Sequence, residues 1–265
     1  MARESLLGQV PVLTGEELAA LLPSEKGRTR ESLIAYHVRR GHLLRARRGL
    51  YAVVPPGVSP QGHSPDPYLL AAKMADDAVL AYHTALEVHG KAHSVFERFF
   101  FLTSTRARPV TFRAFRFESV RHPRALRRRR QESFGVKTVD RSGVPVRVTT
   151  LERTLVDVLD RSDLGGGWEE IWRSLESVEF FDLDKVVEYA LLLDNATTVA
   201  KVGYFLDQHR EPLMVEDSHL ARLKKRRPKR PHYMERRRRE SGRLVAEWNL
   251  VVPVHVAEHS WEEAR

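Results

Sequence analysis

The chain has 265 residues, enough for two modest domains with separate cores, and its 42% hydrophobic content is that of a folded protein. It contains no cysteine, which excludes disulfides, cysteine-ligated zinc and cysteine nucleophiles. Its net charge of +9 favours a polyanionic partner, most commonly nucleic acid, with an anionic membrane surface as the competing possibility. No apolar run approaches the roughly 20 residues that span a bilayer, and MARESLLGQVP is too short and acidic for a signal peptide. We therefore expect a cytoplasmic protein without a membrane partner.

The N-terminal part of the chain predicts two helices followed by a tight hairpin. Thr14 with Glu17 three residues later forms a capping box, so a helix should begin there. A second helix fits Arg28–Arg40 and is stopped by Gly41. The following run, HLLRARRGLYAVV, alternates like a β-hairpin with its tip at 47–49. This order is typical of a winged helix-turn-helix.

Polar and basic side chains cluster on the second helix opposite Ile34 and Val38, and they continue along the hairpin. Hydroxyls, an aromatic ring and guanidiniums suit phosphate and base-edge contacts in a major groove, whereas Tyr51 should belong to the core. An ordinary solvated helix face is the competing interpretation, because charged outer faces are common on proteins. The predicted DNA-binding residues are Arg28, Thr29, Arg30, Ser32, Tyr36, Arg39, Arg40, Arg45, Arg47 and Arg48. Of these, Thr29, Ser32 and Tyr36 should lie nearer base edges, and Arg39, Arg40, Arg47 and Arg48 nearer phosphates.

Behind the hairpin, proline and glycine cluster at 55–67, which indicates a linker. Asp66 and Pro67 should begin a helix, and a further helix fits Val79–Val88. Strand-like runs follow, and one of them is VTFRAFRFESV at 110–120. From Thr149 the periodicity predicts about four helices, and the end of the chain, from 242, looks like one strand and a short tail. The predicted fold class is therefore α+β, a winged helix-turn-helix followed by a mixed domain with a small sheet and a helical, bundle-like half. The predicted boundaries are 1–57 for the winged domain, 58–67 for the linker and 68–265 for the second domain.

Two further basic tracts lie in the predicted second domain, at 121–130 and in a loop at 222–239 that has eleven basic residues and one acid. Like charges repel, and Pro228 and Pro231 argue against a continuous basic helix. Contact with nucleic acid and a merely solvated surface are both open interpretations. The candidate contacts are Arg127, Arg128, Arg129, Arg130, Lys224, Lys225, Arg226 and Arg227.

No catalytic or metal-binding constellation is convincing, so we expect neither an enzyme nor a cofactor. Asp182 and Asp184 have the spacing of a magnesium-binding pair, but no Gly-Ser turn precedes them and a helix cap explains them better. His83 and Glu87 are one helical turn apart, yet the HExxH motif of zinc enzymes is absent, and a core or surface histidine is the simpler interpretation.

Several segments together resemble a known family. They are LLRARRGLYAV at 43–53, TLERTLVDVLDR at 150–161, GGGWEE at 165–170, WNLVVP at 248–253 and SWEE at 260–263. The chain is similar in these to the AbiEi-type antitoxins of type IV toxin–antitoxin systems, many of them linked to abortive phage infection. The resemblance implies a winged head that binds repeats upstream of its own operon and represses it. It also implies a second domain that counters a nucleotidyltransferase-like toxin, by direct contact or through the toxin's target.

Two other functions stay open. A metal-dependent nuclease would use Glu118, Lys137 and Asp140 near predicted strand ends, although the turn at Asp140–Gly143 accounts for Asp140 equally well. A ligand-sensing winged-helix regulator without a toxin is the third hypothesis.

Overall fold

The computed structural model describes residues 10–21, 29–105, 107–235 and 242–261, which form an α+β protein with three small sheets. The chain divides into two compact units. The first comprises 1–80, 96–121 and 138–148, and the second comprises 81–95, 122–137 and 149–265. The predicted linker at 58–67 lies within the first unit, because the residues on both sides of it belong to that unit. That residues 1–57 and 68–265 fold independently stays a prediction.

The first unit begins with the small winged domain. Its elements are β1 (Val12–Thr14), α1 (Gly15–Leu21), α2 (Arg30–Arg39), β2 (Leu43–Arg47) and β3 (Leu50–Val53). The capping box is present, since the Thr14 amide donates to Glu17 Oε2 (2.7 Å) and the Glu17 amide donates to Thr14 Oγ1 (3.2 Å). The hairpin β2–β3 is joined by β1, which pairs antiparallel with β3 and gives the order β1-β3-β2. This third strand is absent from the sequence-based prediction.

The winged domain has its own apolar core. Leu13, Leu18 and Leu43 are buried together with Tyr51 and Val53, so the core role predicted for Tyr51 is confirmed. Ile34 and Val38 pack against this cluster, as the helical wheel predicts. Helix α2 is therefore held by one side, and its polar side faces solvent.

A six-stranded mixed sheet follows the winged domain. Its strands are β4 (Val79–Leu80), β5 (Arg98–Thr103), β6 (Val110–Phe112), β7 (Phe115–Arg121), β8 (Val136–Arg141) and β9 (Val144–Thr149), in the order β6-β7-β5-β4-β9-β8. Helix α3 (Pro67–Ala72) precedes it, and the predicted cap is present because Asp66 accepts hydrogen bonds from the amides of Tyr68 and Leu69. The carboxylate of Asp77 accepts hydrogen bonds from the end of β5, from Thr103 Oγ1 (2.5 Å) and the Ser104 amide (2.7 Å).

Two secondary-structure predictions in this region are wrong. The segment Val79–Val88, predicted as one helix, forms two elements. Its first two residues are strand β4, which pairs with β5 and β9. Tyr82 then adopts a positive φ of 57°, and the shorter helix α4 (His83–Val88) follows. The run at 110–120, predicted as one strand, is the antiparallel pair β6–β7, because Arg113 adopts a φ of 56° and reverses the chain. Both breaks depend on left-handed backbone conformations that residues other than glycine rarely adopt.

The second unit is mainly helical. After α4 it contains α5 (Arg124–Arg129), α6 (Leu151–Asp160), α7 (Trp168–Glu176), α8 (Leu183–Leu192), α9 (Ala196–Gln208), α10 (Asp217–Lys224) and α11 (Val254–Ala257). The four helices predicted after Thr149 are confirmed as α6 to α9. Side chains cap three of them, since Thr150, Asp182 and Asn195 each accept a hydrogen bond from a first-turn amide. The single strand predicted near the end is wrong, because β10 (His232–Tyr233), β11 (Gly242–Val245) and β12 (Leu250–Pro253) form a sheet in the order β10-β12-β11.

The block TLERTLVDVLDR builds the core of this unit. Arg153 is fully buried and its guanidinium donates to the Asp157 carboxylate (3.2 Å) and to the carbonyl of Phe134 (2.6 Å). Tyr189 donates its hydroxyl hydrogen to the other oxygen of Asp157 (2.7 Å). Buried charges are retained where they are paired and hydrogen-bonded, so these polar residues have structural partners inside the unit.

Candidate nucleic-acid interface

The polar side of α2 begins at its N-cap. The Ser32 amide donates to Thr29 Oγ1 (3.3 Å), and the Ser32 hydroxyl donates to the Thr29 carbonyl (2.7 Å). The helix therefore begins two residues later than predicted, and Arg28 lies outside the described residues. Because both hydroxyls take part in the cap, a base contact by Thr29 or Ser32 would compete with helix capping.

Three basic side chains and one aromatic ring occupy the exposed side of α2 and its C-cap. Arg30 and Arg39 are exposed and have no side-chain partner among the described residues. The guanidinium carbon of Arg40 lies 5.6 Å from the ring centroid of Tyr36, a cation–π arrangement, and 37% of Tyr36 is exposed. These residues form a basic surface with an accessible phenol, as the wheel predicts.

The hairpin adds two exposed arginines to this surface, and a third arginine that is turned inward. Arg45 on β2 and Arg48 in the turn are exposed, and neither side chain has a partner among the described residues. Gly49 closes the turn with a φ of 77°, a conformation that glycine adopts without steric cost. Arg45 and Arg48 are therefore available to an anion, and the tip predicted at 47–49 is present.

Arg47 points back into the first unit instead. Its guanidinium donates to the carbonyls of Arg48 (2.8 Å), Met74 (2.9 Å) and Lys73 (3.4 Å). The phosphate role expected for Arg47 does not fit this placement, because a phosphate would have to replace hydrogen bonds that are already made. The strand register shifts between Arg45 and Arg47, and such an irregularity changes the direction of the side chains that follow it.

A second contact joins α1 to the segment after α3. Lys73 Nζ lies 2.6 Å from both carboxylate oxygens of Glu17, the residue of the capping box. Burial raises the pKa of Glu17, but the hydrogen bonds from Lys73 and Thr14 outweigh it and leave this pKa below its ordinary value. The winged domain is thus attached to the rest of the first unit by an ion pair from α1 and by hydrogen bonds from the wing to backbone carbonyls.

The basic tract at 127–130 is largely engaged with its own unit. Arg127 donates to the carbonyl of His122 (3.0 Å) and Arg129 to the carbonyl of Leu192 (3.1 Å). Arg128 lies 4.0 Å from the carboxylate of Asp194. Arg130 ends α5 in a left-handed conformation, with φ at 55°. All four arginines are exposed, so these weak surface contacts do not remove them from solvent.

The tract predicted as a loop at 222–239 begins inside α10, and that part of the loop prediction is wrong. Arg222 pairs with Asp184 and Lys224 with Glu247. Lys225, Arg226 and Arg227 have no side-chain partner among the described residues, and 236–239 lie outside them. The nucleic-acid role predicted for Lys224 would thus break an ion pair, whereas that of the next three residues would not.

His83 is a buried titratable group of the second unit, placed between two carboxylates. The side chain is fully buried, with Nε2 3.0 Å from Glu170 Oε1 and Nδ1 3.4 Å from Glu87 Oε1. Burial lowers the pKa of His83, but its hydrogen bonds to Glu170 and Glu87 outweigh this and raise it above the ordinary value. The imidazolium form is therefore favoured as the central partner of two carboxylates.

The other acidic candidates have local partners. Asp182 caps α8, and Asp140 accepts a hydrogen bond from the Gly143 amide (3.2 Å) within its turn. Glu118 accepts hydrogen bonds from Arg98 (3.0 Å) and Arg116 (2.8 Å). Across the described part of the chain, no three histidine, aspartate or glutamate residues are grouped to hold a metal ion. Within the same residues, no helix has the length and apolar character to cross a bilayer.

Comparison with known proteins extends the description of the fold. No protein-family model matches the sequence, and no curated protein does. The structure is similar to the crystal structure of the RV2827C protein from Mycobacterium tuberculosis, with a TM-score of 0.66 over 98% of this chain and 93% of that chain. The two sequences are 20% identical, so the similarity concerns the fold alone.

Proposed function

We propose that this protein is an autorepressing antitoxin, whose winged domain binds operator DNA upstream of its own operon. The observation that carries the DNA-binding part is the set of exposed arginines on α2 and the hairpin. Arg30, Arg39, Arg45 and Arg48 have no side-chain partner within the described residues, and Arg40 has only the ring of Tyr36. Exposed guanidiniums on a helix and an adjacent wing are suited to phosphates on both sides of a groove.

The number of unpaired cations gives an expected salt dependence. Each neutralised phosphate contributes about 0.9 to the slope of log Kd against log salt concentration, so five contacts give roughly 4–5. Fluorescence anisotropy of labelled upstream DNA, with a scrambled duplex and a salt series, measures this slope together with sequence preference. Arg39→Ala should weaken binding to both duplexes and lower the salt slope by about 0.9, the contribution of one phosphate contact.

A matched control separates a site effect from a change of net charge. Arg173→Ala removes a partly exposed guanidinium of α7 that is already paired with Glu169 (3.1 Å). This variant should bind DNA as the wild type does. Equal weakening by Arg39→Ala and Arg173→Ala would count against a localised interface on α2.

The antitoxin part of the proposal rests on the segments that resemble AbiEi-type antitoxins, and it assigns to the second domain the neutralisation of a nucleotidyltransferase-like toxin. Arg153 and Asp157 of the segment TLERTLVDVLDR are buried, so the toxin-directed surface should be formed by other residues. A fragment that begins at Pro67 would lack Glu17, the partner of Lys73. Full-length variants are therefore the better test.

The two activities should separate in the intact chain. The double variant Arg39→Ala/Arg48→Ala should derepress a reporter placed behind the upstream DNA, yet still rescue growth of cells that express the neighbouring nucleotidyltransferase-like gene. If the double variant loses repression but the wild type does not rescue growth, the protein is a winged-helix regulator without a toxin. If the wild type rescues growth and the double variant does not, the protein controls the toxin through repression of the operon.

A further inference from the structure

The second unit contains a cavity of about 480 Å³ that the DNA-binding proposal does not use. It lies at the C-terminal end of α6, beside the turn that follows and the first turn of α9. Its lining residues are Asp160, Arg161, Ser162, Asp163, Gly167, Asn195, Thr197, Thr198, Lys201, Met234 and Glu235. Cavities of about 300–1,000 Å³ are the usual size of sites for small organic molecules.

The two cations in the wall are already engaged by the protein. Lys201 is 6% exposed and its ammonium donates to the carbonyls of Leu159 (2.9 Å) and Asp160 (3.3 Å). Both carboxylate oxygens of Asp163 accept hydrogen bonds from Arg161, at 2.9 and 2.8 Å. An anionic ligand would therefore have to compete with carbonyl and carboxylate partners that are present without it.

The carboxylates of Asp160 and Glu235 are engaged through one oxygen each. Oδ1 of Asp160 accepts from Asn195 Nδ2 (3.2 Å) and from the hydroxyl of Thr198, while Oε1 of Glu235 accepts from Trp168 Nε1 (2.5 Å). Within the described residues, Asp160 Oδ2 and Glu235 Oε2 have no donor. Ionised carboxylate oxygens are acceptors only, so the groups that complement them are N–H or O–H donors.

We propose that this cavity binds a small organic cation whose ammonium or guanidinium groups donate hydrogen bonds to Asp160 and Glu235. The wall has three carboxylates and two cations, an acidic balance inside a chain with a net charge of +9. The buried thioether side chain of Met234 supplies an apolar surface for the alkyl part of such a ligand. Asn195 and Thr198 fix the Asp160 carboxylate, so the acceptor is oriented before the ligand arrives.

The same chemistry can come from a free amine or from an arginine side chain of a partner protein. Isothermal titration calorimetry of the full chain with spermidine and with L-arginine amide distinguishes these sources. Binding of spermidine alone indicates a free amine, and binding of arginine amide alone indicates a partner's side chain. Absence of binding by both probes at millimolar concentration, or binding of inorganic phosphate in their place, would overturn the proposal.

Charge-neutral variants locate the binding. Glu235→Gln keeps an acceptor for Trp168 but removes the negative charge, and it should weaken the bound probe by about tenfold or more, as expected for a lost charge-assisted hydrogen bond. Asp160→Asn is the second variant, and melting curves by circular dichroism confirm that each is folded. Glu247→Gln, an exposed carboxylate outside the cavity, should leave binding unchanged. Equal weakening by Glu247→Gln, or none by both cavity variants, would contradict the assignment.

Discussion

Arg47 and Arg48 are adjacent and chemically identical, yet the structure gives them opposite roles, and alanine variants of each should separate these roles. Arg47 makes two short hydrogen bonds, to the carbonyls of Arg48 and Met74, and a longer one to Lys73. Hydrogen bonds to charged groups contribute about 1.5–3 kcal/mol each. Counting only the two short bonds at the lower value, because the side chain is half-buried, Arg47→Ala should lower the free energy of unfolding by about 3 kcal/mol.

Arg48→Ala should do the reverse. The side chain is exposed and has no partner among the described residues, and such surface substitutions change stability by about 0.5 kcal/mol or less. Its effect should appear in DNA binding, as a fall of about 0.9 in the salt slope, the contribution of one phosphate contact.

Urea unfolding followed by far-ultraviolet circular dichroism, and anisotropy with the upstream duplex at several salt concentrations, measure the two effects on the same preparations. DNA affinities are compared at a temperature where Arg47→Ala remains folded. The opposite roles of Arg47 and Arg48 would be disproved if Arg47→Ala kept wild-type stability and lowered the salt slope as much as Arg48→Ala does. That result would mean that Arg47 leaves its carbonyl partners and contacts phosphate.

Three further predictions concern packing and pH. Gly203→Ala should destabilise the protein by about 1–3 kcal/mol in urea unfolding, because its Cβ would lie 2.1 Å from the buried ring of Trp248; an unchanged midpoint would contradict this packing. His83→Gln should lower stability most below pH 6.5, because the pKa of His83 is raised on folding and the imidazolium form stabilises the folded state there. The loss of stability should become smaller as the pH rises through the folded-state pKa. A loss that grows with pH would mean that folding lowers the pKa of His83. Burial raises the pKa of Asp77, but hydrogen bonds from the end of β5 outweigh it and lower this pKa to about 2. The stabilisation is present above the ordinary value of 3.8 and is lost as the pH falls towards 2, so Asp77→Asn should flatten the acid side of the stability profile, and a profile unchanged between these limits would exclude Asp77 as a contributor.

The features that sequence predicts well are those decided by neighbouring residues. The capping box of Thr14, the caps at Asp66 and Asp182 and the turn ending at Gly143 are present, because each requires only groups two or three positions apart. The polar and apolar sides of α2 follow from its period in the same way.

The features that sequence misses depend on distant partners. Strand β1 has three residues and exists only because it pairs with β3, nearly forty positions away, and β4 has two residues held between β5 and β9. The inward direction of Arg47 depends on carbonyls at 73–74 and on a register shift, neither of which residue type reveals. The cavity lined by Asp160 and Glu235 likewise unites segments far apart in the chain.

We propose that the winged domain binds operator DNA through the exposed arginines of α2 and the hairpin. The decisive measurement is the anisotropy of labelled DNA with the full-length wild type and with Arg39→Ala/Arg48→Ala, using the protein's own upstream duplex and a scrambled duplex. We predict that the wild type binds the upstream duplex more tightly than the scrambled duplex. The double variant should lose affinity and about 1.8 of the salt slope, the contribution of two phosphate contacts. Equal affinity of the wild type for both duplexes, or an unchanged slope in the double variant, would contradict it.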